Sequence, residues 1–285
     1  MKLSLERYHG LGNDYLVLDP NKFNLPLNEK IIRLICDRNF GFGSDGILLG
    51  PIFEDGGISV RIYNPDGSEA EKSGNGVRIF SRYVKNFGYV KDDEFVLTTL
   101  GGKVNVRYLK PDGSLMRVLM GKPTYNSAEI PVAGAERLVI DEPMRFLNRE
   151  YRVTCLSIGN PHCVIPMDEI SKEAAIGLGS RVESAPYFPN RINMQLLKVL
   201  SRSDIAIEIY ERGAGYTLAS GSSSCAAASA AFRLGLVDRD IAVHMPGGTL
   251  QIEIQPDESV YMTGTVNYVG TVTPSDEFLR ELKAL

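Results

Sequence analysis

The chain carries one sequence design twice, and this repeat constrains the fold more than any other feature. Ser73-Gly74 opens a helical stretch, and Gly101-Gly102 follows about one helix and one strand later. Ser220-Gly221 opens a second helical stretch, and Gly247-Gly248 follows at nearly the same interval. After the first glycine pair, Lys103-Val104-Asn105-Val106-Arg107-Tyr108 leads to Pro111-Asp112-Gly113-Ser114. After the second, Thr249-Leu250-Gln251-Ile252-Glu253-Ile254 leads to Pro256-Asp257-Glu258-Ser259. A strand ends in polar residues before each helix, at Ile62-Tyr63-Asn64 and at Ile209-Tyr210-Glu211. The repeat is far longer than the periods of solenoids, so it marks a duplicated domain. Each half reads as a β-meander wrapped around a buried helix.

Both helices begin with serine and glycine. A helix N-terminus leaves N–H groups unpaired and presents the positive end of the backbone dipole, so it can hold a carboxylate or phosphate. Two similar domains facing each other would bring both helix starts to a central cleft. A carboxylate there would be held by amides from both, with the groups at Ser73 and Ser220 flanking the bound molecule. That geometry suits two-sided proton transfer, in which one group removes a proton and the other returns one to the opposite face. The residues thus point to an isomerase of a small carboxylate.

The remaining segments fill in around the repeat. Residues 3–8 and 15–18 read as strands, joined at Gly10-Leu11-Gly12-Asn13-Asp14 by a hairpin turn in which Asn and Gly supply positive φ. The loop lacks the third glycine of a dinucleotide fingerprint and no helix follows it, which rejects that reading. The spacing predicts a helix over 28–39, with Ile31, Ile32, Leu34 and Ile35 on its buried side. Asn64-Pro65-Asp66-Gly67-Ser68-Glu69 starts like a calcium loop but lacks the later ligands, so it is a turn. The helix from Ser73 to Asn86 is apolar on more than one face, as in a helix surrounded by other elements. A domain boundary falls near Lys122. Strands over 152–158 and 163–166 flank the loop Gly159-Asn160-Pro161-His162, and 170–183 is mostly helical. Strands over 192–199 and 205–210 precede Glu211-Arg212-Gly213-Ala214-Gly215. The helix after Ser220 has small side chains nearly all round, so its neighbours can approach closely, and Gly235 is its C-cap.

Charge and cysteine usage narrow the partners. The 285 residues carry a net charge of -4 with no basic stripe, which argues against nucleic acid as a partner. No apolar run approaches the roughly 20 residues that span a bilayer. Met1-Lys2-Leu3-Ser4-Leu5-Glu6-Arg7 lacks the apolar core of a leader peptide. Cys36, Cys155, Cys163 and Cys225 lie in apolar stretches without CxxC spacing, as buried thiols in a reducing cytoplasm would.

At this point the residues resemble those of a known family. His9-Gly10-Leu11-Gly12-Asn13-Asp14, Gly43-Ser44-Asp45-Gly46, Asn64-Pro65-Asp66-Gly67-Ser68-Glu69, Ser73-Gly74-Asn75-Gly76-Val77-Arg78, Gly159-Asn160-Pro161-His162 and Glu211-Arg212-Gly213-Ala214-Gly215 look like the motifs of diaminopimelate epimerase. This is the pyridoxal-independent enzyme of lysine and cell-wall biosynthesis, and the resemblance covers essentially the whole chain. It implies an α+β fold of two homologous domains, each a β-sheet or barrel around a central helix, with the active site in the cleft between them. Residues 1–121 with 268–285 would form the first domain and 122–267 the second. The resemblance also implies a small amino-acid substrate, no cofactor, no metal, and a cytoplasmic homodimer.

The same resemblance assigns site residues. The reacting carboxylate would rest on amides near Gly74, Asn75, Gly221 and Ser222, with Glu211 and Asn13 placing the reacting end. Asn64, Asn160, Asn193 and Arg212 would read the distal amino-acid end, and His162 would support the site or cap its loop. The chemistry suits these residue types: Arg212 offers a planar fork to a carboxylate, and the asparagines both donate and accept.

One departure stands out. The family uses two cysteines as acid and base, and here the positions are Ser73 and Ser220. A thiol titrates near ~8.5 and is tuned lower at a helix N-terminus, whereas a serine hydroxyl is a far weaker acid. Serine is also a preferred N-cap. Leu218 and Ser223 depart too, where the family usually has Gln and Gly. Three readings stay open: an epimerase disabled by replacement of both thiols, a variant catalysing a related racemisation or isomerisation by a modified mechanism, and a non-catalytic amino-acid-binding protein.

Overall fold

A computed structural model describes residues 3–54 and 56–285. Met1 and Lys2, part of the stretch read above for a leader, lie outside the described residues. The chain divides into two compact units, Met1–Val118 with Thr265–Leu285, and Leu119–Gly264.

In the first unit, β1 (Leu5–Gly10) and β2 (Asn13–Leu18) form an antiparallel hairpin. Its turn residues are Leu11 and Gly12, at φ 57° and 88°. These are the two left-handed positions that a tight hairpin turn requires. Asn13, expected to supply one of them, instead begins β2 opposite Gly10. Next comes α1 (Glu29–Cys36), capped by Asn28 Oδ1, which accepts from Ile31 N–H at 3.0 Å. This helix stops three residues before the expected end at 39, and the cause is local. Asp37 turns to extended backbone, and its Oδ1 accepts from the N–H groups of Asn39 and Phe40. The carbonyls of Ile35 and Cys36 then accept from Phe42, Gly43 and Ser44 instead of from a further helical turn.

The unit continues through β3 (Ile47–Glu54), β4 (Gly57–Tyr63), β5 (Glu69–Ala70), α2 (Gly74–Asn86), β6 (Glu94–Thr99), β7 (Gly102–Tyr108) and β8 (Leu115–Gly121). Strand β2 runs parallel to β3 across α1, and β4 runs parallel to β6 across α2. The pairs β3–β4, β4–β5, β6–β7 and β7–β8 are antiparallel. Helix α2 packs against β1, β2 and β3 and buries Val77, Ile79, Phe80, Tyr83 and Val84.

The second unit contains β9 (Glu142–Phe146), β10 (Arg149–Ser157), β11 (Pro161–Pro166), α3 (Lys172–Glu183), β12 (Asn193–Val199), β13 (Asp204–Glu211), β14 (Gly215–Thr217), α4 (Gly221–Arg233), β15 (Asp240–Met245), β16 (Gly248–Ile254) and β17 (Val260–Thr265). From β10 onward its pairings reproduce those of the first unit step by step. The pairs β10–β11, β12–β13, β13–β14, β15–β16 and β16–β17 are antiparallel. The pair β11–β12 is parallel across α3, and β13–β15 is parallel across α4. The repeat is therefore real, but each half is not the simple meander expected. Parallel neighbours need a crossover, and the helices of each half provide it.

Helix α4 packs against β10–β13, β15 and β16, with Ala226, Ala227, Ala228, Ala230 and Ala231 fully buried. The small side chains allow this enclosure, as expected. Gly235, just past the helix, has φ 72° and fits the C-terminal glycine role. Helix α3 packs against β13, and Gly179 is the close-approach point. A Cβ there would lie 2.3 Å from Cγ of the Tyr210 ring. The chain finishes in the first unit with β18 (Asn267–Val272), antiparallel to β1, and α5 (Asp276–Ala284), which inserts Leu282 into the core beside Leu3 and Ile35.

Candidate active site

Each unit carries a serine-capped helix start supported by a polar network. In the first unit, Ser73 has extended backbone, and its Oγ accepts from Gly76 N–H at 3.0 Å. The Tyr15 hydroxyl, reaching from β2, lies 3.3 Å from the same oxygen. Gly74 and Asn75 form the first turn of α2. Asn75 Nδ2 donates to Asn13 Oδ1 at 3.0 Å, and buried Arg78 donates to Asn75 Oδ1 at 2.8 Å. Asn13 Nδ2 in turn donates to Asp45 at 2.9 Å. Arg38 bridges Asp45 and Asp14 at 2.7 and 2.8 Å, and Arg7 Nε donates to Asp14 at 3.0 Å. Burial works to raise the Asp14 carboxyl, but Arg38 and Arg7 together hold it below its ordinary value. Ser73, Gly74, Asn75 and Asn13 thus form one braced group. Asn64 is not part of it. Its Nδ2 donates to Ser68 Oγ at 3.0 Å within the 64–69 turn, where Asp66 accepts from both Ser68 N–H and O–H.

In the second unit, Ser220 also has extended backbone and caps α4, with Ser223 N–H donating to its Oγ at 3.4 Å. Gly221 and Ser222 form the first turn. Asn160, in the β10–β11 loop, donates from Nδ2 to Ser222 Oγ at 3.3 Å, and its Oδ1 lies 2.9 Å from His162 Nε2. His162 is fully buried, and burial pushes its imidazole down to about 3; the neighbouring Gln195 side chain acts in the opposite sense and the charge of Arg212 adds to the fall. Its contact with Asn160 lies within the same 159–162 loop. Asn193 sits opposite His162 in the parallel β11–β12 register. Its Nδ2 donates to Pro161 O at 2.8 Å, and its Oδ1 accepts from Arg212 N–H at 2.9 Å. Asn193 therefore ties the 159–162 loop to the residue after β13. Glu211 ends β13, opposite Gly215 of β14, and Arg212 Nη1 donates to Asn190 O at 3.3 Å.

The serines themselves are placed as caps. Among the described residues, no carboxylate, imidazole or amine lies within hydrogen-bond distance of either Oγ. Each accepts a first-turn N–H, and Ser73 has in addition the Tyr15 phenol. A thiol in either place would find the helix N-terminus that lowers its pKa. A hydroxyl finds the same field but starts from a far weaker acid.

The diaminopimelate epimerase family profile matches residues 7–126 and 154–269. The chain belongs to the diaminopimelate epimerase family. Diaminopimelate epimerase 2 of Nostoc sp. is 53% identical over 262 residues, covering 91% of this chain and 91% of that protein. The diaminopimelate epimerase of Moorella thermoacetica is 40% identical over 262 residues, covering 90% and 94%. Among solved structures, a hydroxyproline epimerase from Agrobacterium vitis superposes with a TM-score of 0.71 at 12% identity, covering 95% of this chain and 90% of that one. At that identity the likeness shows the two-domain α+β epimerase fold alone.

Several side chains beside these helix starts are not evident from the sequence. Tyr15 reads as one more aromatic residue of a buried strand, and only its hydroxyl facing Ser73 distinguishes it. Gln195 is fully buried, and its only sequence signal is a polar residue in the apolar run of β12. Asp45 and Arg38 are remote in sequence from Asn13, and only the fold brings them together.

Proposed function

We propose that this chain is a cofactor-independent isomerase of the diaminopimelate epimerase type, built to interconvert LL- and meso-2,6-diaminopimelate at one α-carbon in lysine and peptidoglycan biosynthesis. The observation that carries this reading is the pair of serine-capped helix starts in duplicated units, within a chain that matches epimerases over most of its length. The reacting carboxylate is held near the amides of Gly74, Asn75, Gly221 and Ser222. Asn13 and Glu211 place the reacting end, and Asn64, Asn160, Asn193 and Arg212 read the distal end. The domains that do this are residues 1–121 with 268–285 and residues 122–267. The protein works as a cytoplasmic homodimer and has no nucleic-acid partner.

Two-base transfer asks for one acid/base group from each half, and the residues there are Ser73 and Ser220. We infer that the serines preserve substrate binding and abolish proton abstraction, since neither has a base beside it. The competing reading, a modified isomerisation, rests on the Tyr15 hydroxyl beside Ser73.

The test is α-proton exchange in D2O with LL- and meso-diaminopimelate, followed by NMR, beside calorimetric titration. The protein should bind without exchange, and Ser73→Cys/Ser220→Cys should restore exchange. Steady exchange by the native protein would remove the inactive reading in favour of the modified mechanism. A cysteine-restored protein that neither binds nor exchanges diaminopimelate would remove the epimerase reading.

A further inference from the structure

A string of polar side chains lies against the start of α4 in the second unit, and two of its atoms are left over. Asn160 bridges Ser222 Oγ and His162 Nε2 at 3.3 and 2.9 Å. At the other end, Gln195 Nε2 donates to Ser223 Oγ at 3.0 Å. Among the described residues, His162 Nδ1 and Gln195 Oε1 are buried without a hydrogen-bond partner. Yet the Gln195 side chain lies close enough to act on the imidazole. Both residues are fully buried. A buried acceptor left unpaired is costly.

The remedy lies in which way the amides face. The oxygen and nitrogen of a side-chain amide are nearly alike in shape, so the network decides their assignment. A neutral imidazole has one N–H and one bare nitrogen. Two arrangements then satisfy every member. In the first, Ser223 O–H donates to Gln195 Oε1, and Gln195 Nε2 donates to His162 Nδ1. His162 Nε2–H donates to Asn160 Oδ1, and Asn160 Nδ2 donates to Ser222 Oγ. The second reverses every donor. Ser222 O–H donates to Asn160, Asn160 Nδ2 donates to His162 Nε2, His162 Nδ1–H donates to Gln195 Oε1, and Gln195 Nε2 donates to Ser223. Only the first leaves the Ser222 proton available to a third party. The second presents bare lone pairs at a helix start, where an anion needs donors.

We propose that the string runs from Ser223 to Ser222, so that Gln195 and Ser223 are positioning residues that keep the Ser222 hydroxyl aimed to donate to a carboxylate at the start of α4. The identity of that carboxylate rests on the function proposed above; the direction of the string does not. The two Asn160 bonds have this polarity, whereas the Gln195 amide donates to Ser223 and has to turn over to complete it. A neutral ring is required throughout, and burial keeps His162 neutral at physiological pH.

The experiment is 15N–1H correlation NMR of the His162 ring in the full-length protein at pH 7, first alone and then with meso-diaminopimelate, beside calorimetry. The ring should carry its proton on Nε2 in both states. In Gln195→Glu, a carboxylate that only accepts takes the Nδ1 proton and reverses the string toward Ser222. The ring should move to Nδ1–H, and meso-diaminopimelate affinity should fall about tenfold or more, as for loss of a hydrogen bond to a charged group. Ser223→Ala is the milder variant and removes only the leading donor. It should admit a detectable Nδ1–H fraction, and it decides the matter if Gln195→Glu does not fold. An Nδ1–H ring in the native protein overturns the proposal, as does an Nε2–H ring unmoved in the folded variants. If diaminopimelate fails to bind while the tautomer behaves as stated, the substrate reading fails and the string stands.

Discussion

At the scale of single residues, the chemistry turns on groups that are buried and kept neutral. His162 is the clearest case, because its imidazole is pushed down to about 3 by burial. An unfolded histidine titrates near ~6.5. Between these values the unfolded chain takes up a proton that the folded chain refuses, so stability falls as pH falls from ~6.5 and levels off below the folded value. We expect a contribution of up to about 1.4 kcal/mol per pH unit across that window. Urea unfolding at pH 7, 6, 5 and 4 should show the loss in the native protein and a flatter profile in His162→Gln. Equal slopes would contradict it. At this scale the sequence was only partly legible. Ser73 and Ser220 announced themselves as caps because a serine before glycine has a local meaning. Gln195 did not, because its partners His162 and Ser223 come from distant segments that only the β11–β12 pairing and α4 bring together.

Secondary-structure elements were legible where their signals were local. Helices α2 and α4 start where the Ser-Gly motifs place them, since each cap acts on its own first turn. The end of α1 was not, because loop N–H groups from Phe42, Gly43 and Ser44 take over its last carbonyls. Strand β9 was missed altogether; its hairpin turn to β10 uses Leu147 and Asn148 at positive φ, a pairing that contains no glycine. Helix α3 supplies a prediction in which context reverses a propensity rule. Gly177 is exposed, and a Cβ there would meet nothing within 4 Å. Gly177→Ala should therefore stabilise by up to ~1 kcal/mol, the helix propensity gain. Gly179→Ala places a Cβ against the rigid Tyr210 ring and should cost ~1–3 kcal/mol as overpacking. Thermal melts of the two variants should shift in opposite directions, and a shared direction would show that α3 does not pack on β13 as described.

For the whole molecule, duplication was the most legible property and its topology the least. The spacing of Ser-Gly and Gly-Gly motifs reports that a unit occurs twice, but it is silent on whether successive strands lie side by side or cross over a helix. The parallel pairs β2–β3, β4–β6, β11–β12 and β13–β15 depend on which sheet edge the chain returns to, and no short motif encodes that. One further property of the whole chain has a practical use. All four cysteines are buried, and burial raises the thiol of Cys36 to about 11 and that of Cys155 well above its ordinary value. The thiolate is the reactive form. The native protein should therefore be silent to iodoacetamide at neutral pH, while Ser73→Cys should gain a single adduct by intact mass spectrometry. Labelling of the native chain on the same timescale would contradict the burial of its thiols. If the silence holds, the cysteine at position 73 becomes its own reporter: the pH dependence of one alkylation reads out its thiolate against a dark background, with no substrate present.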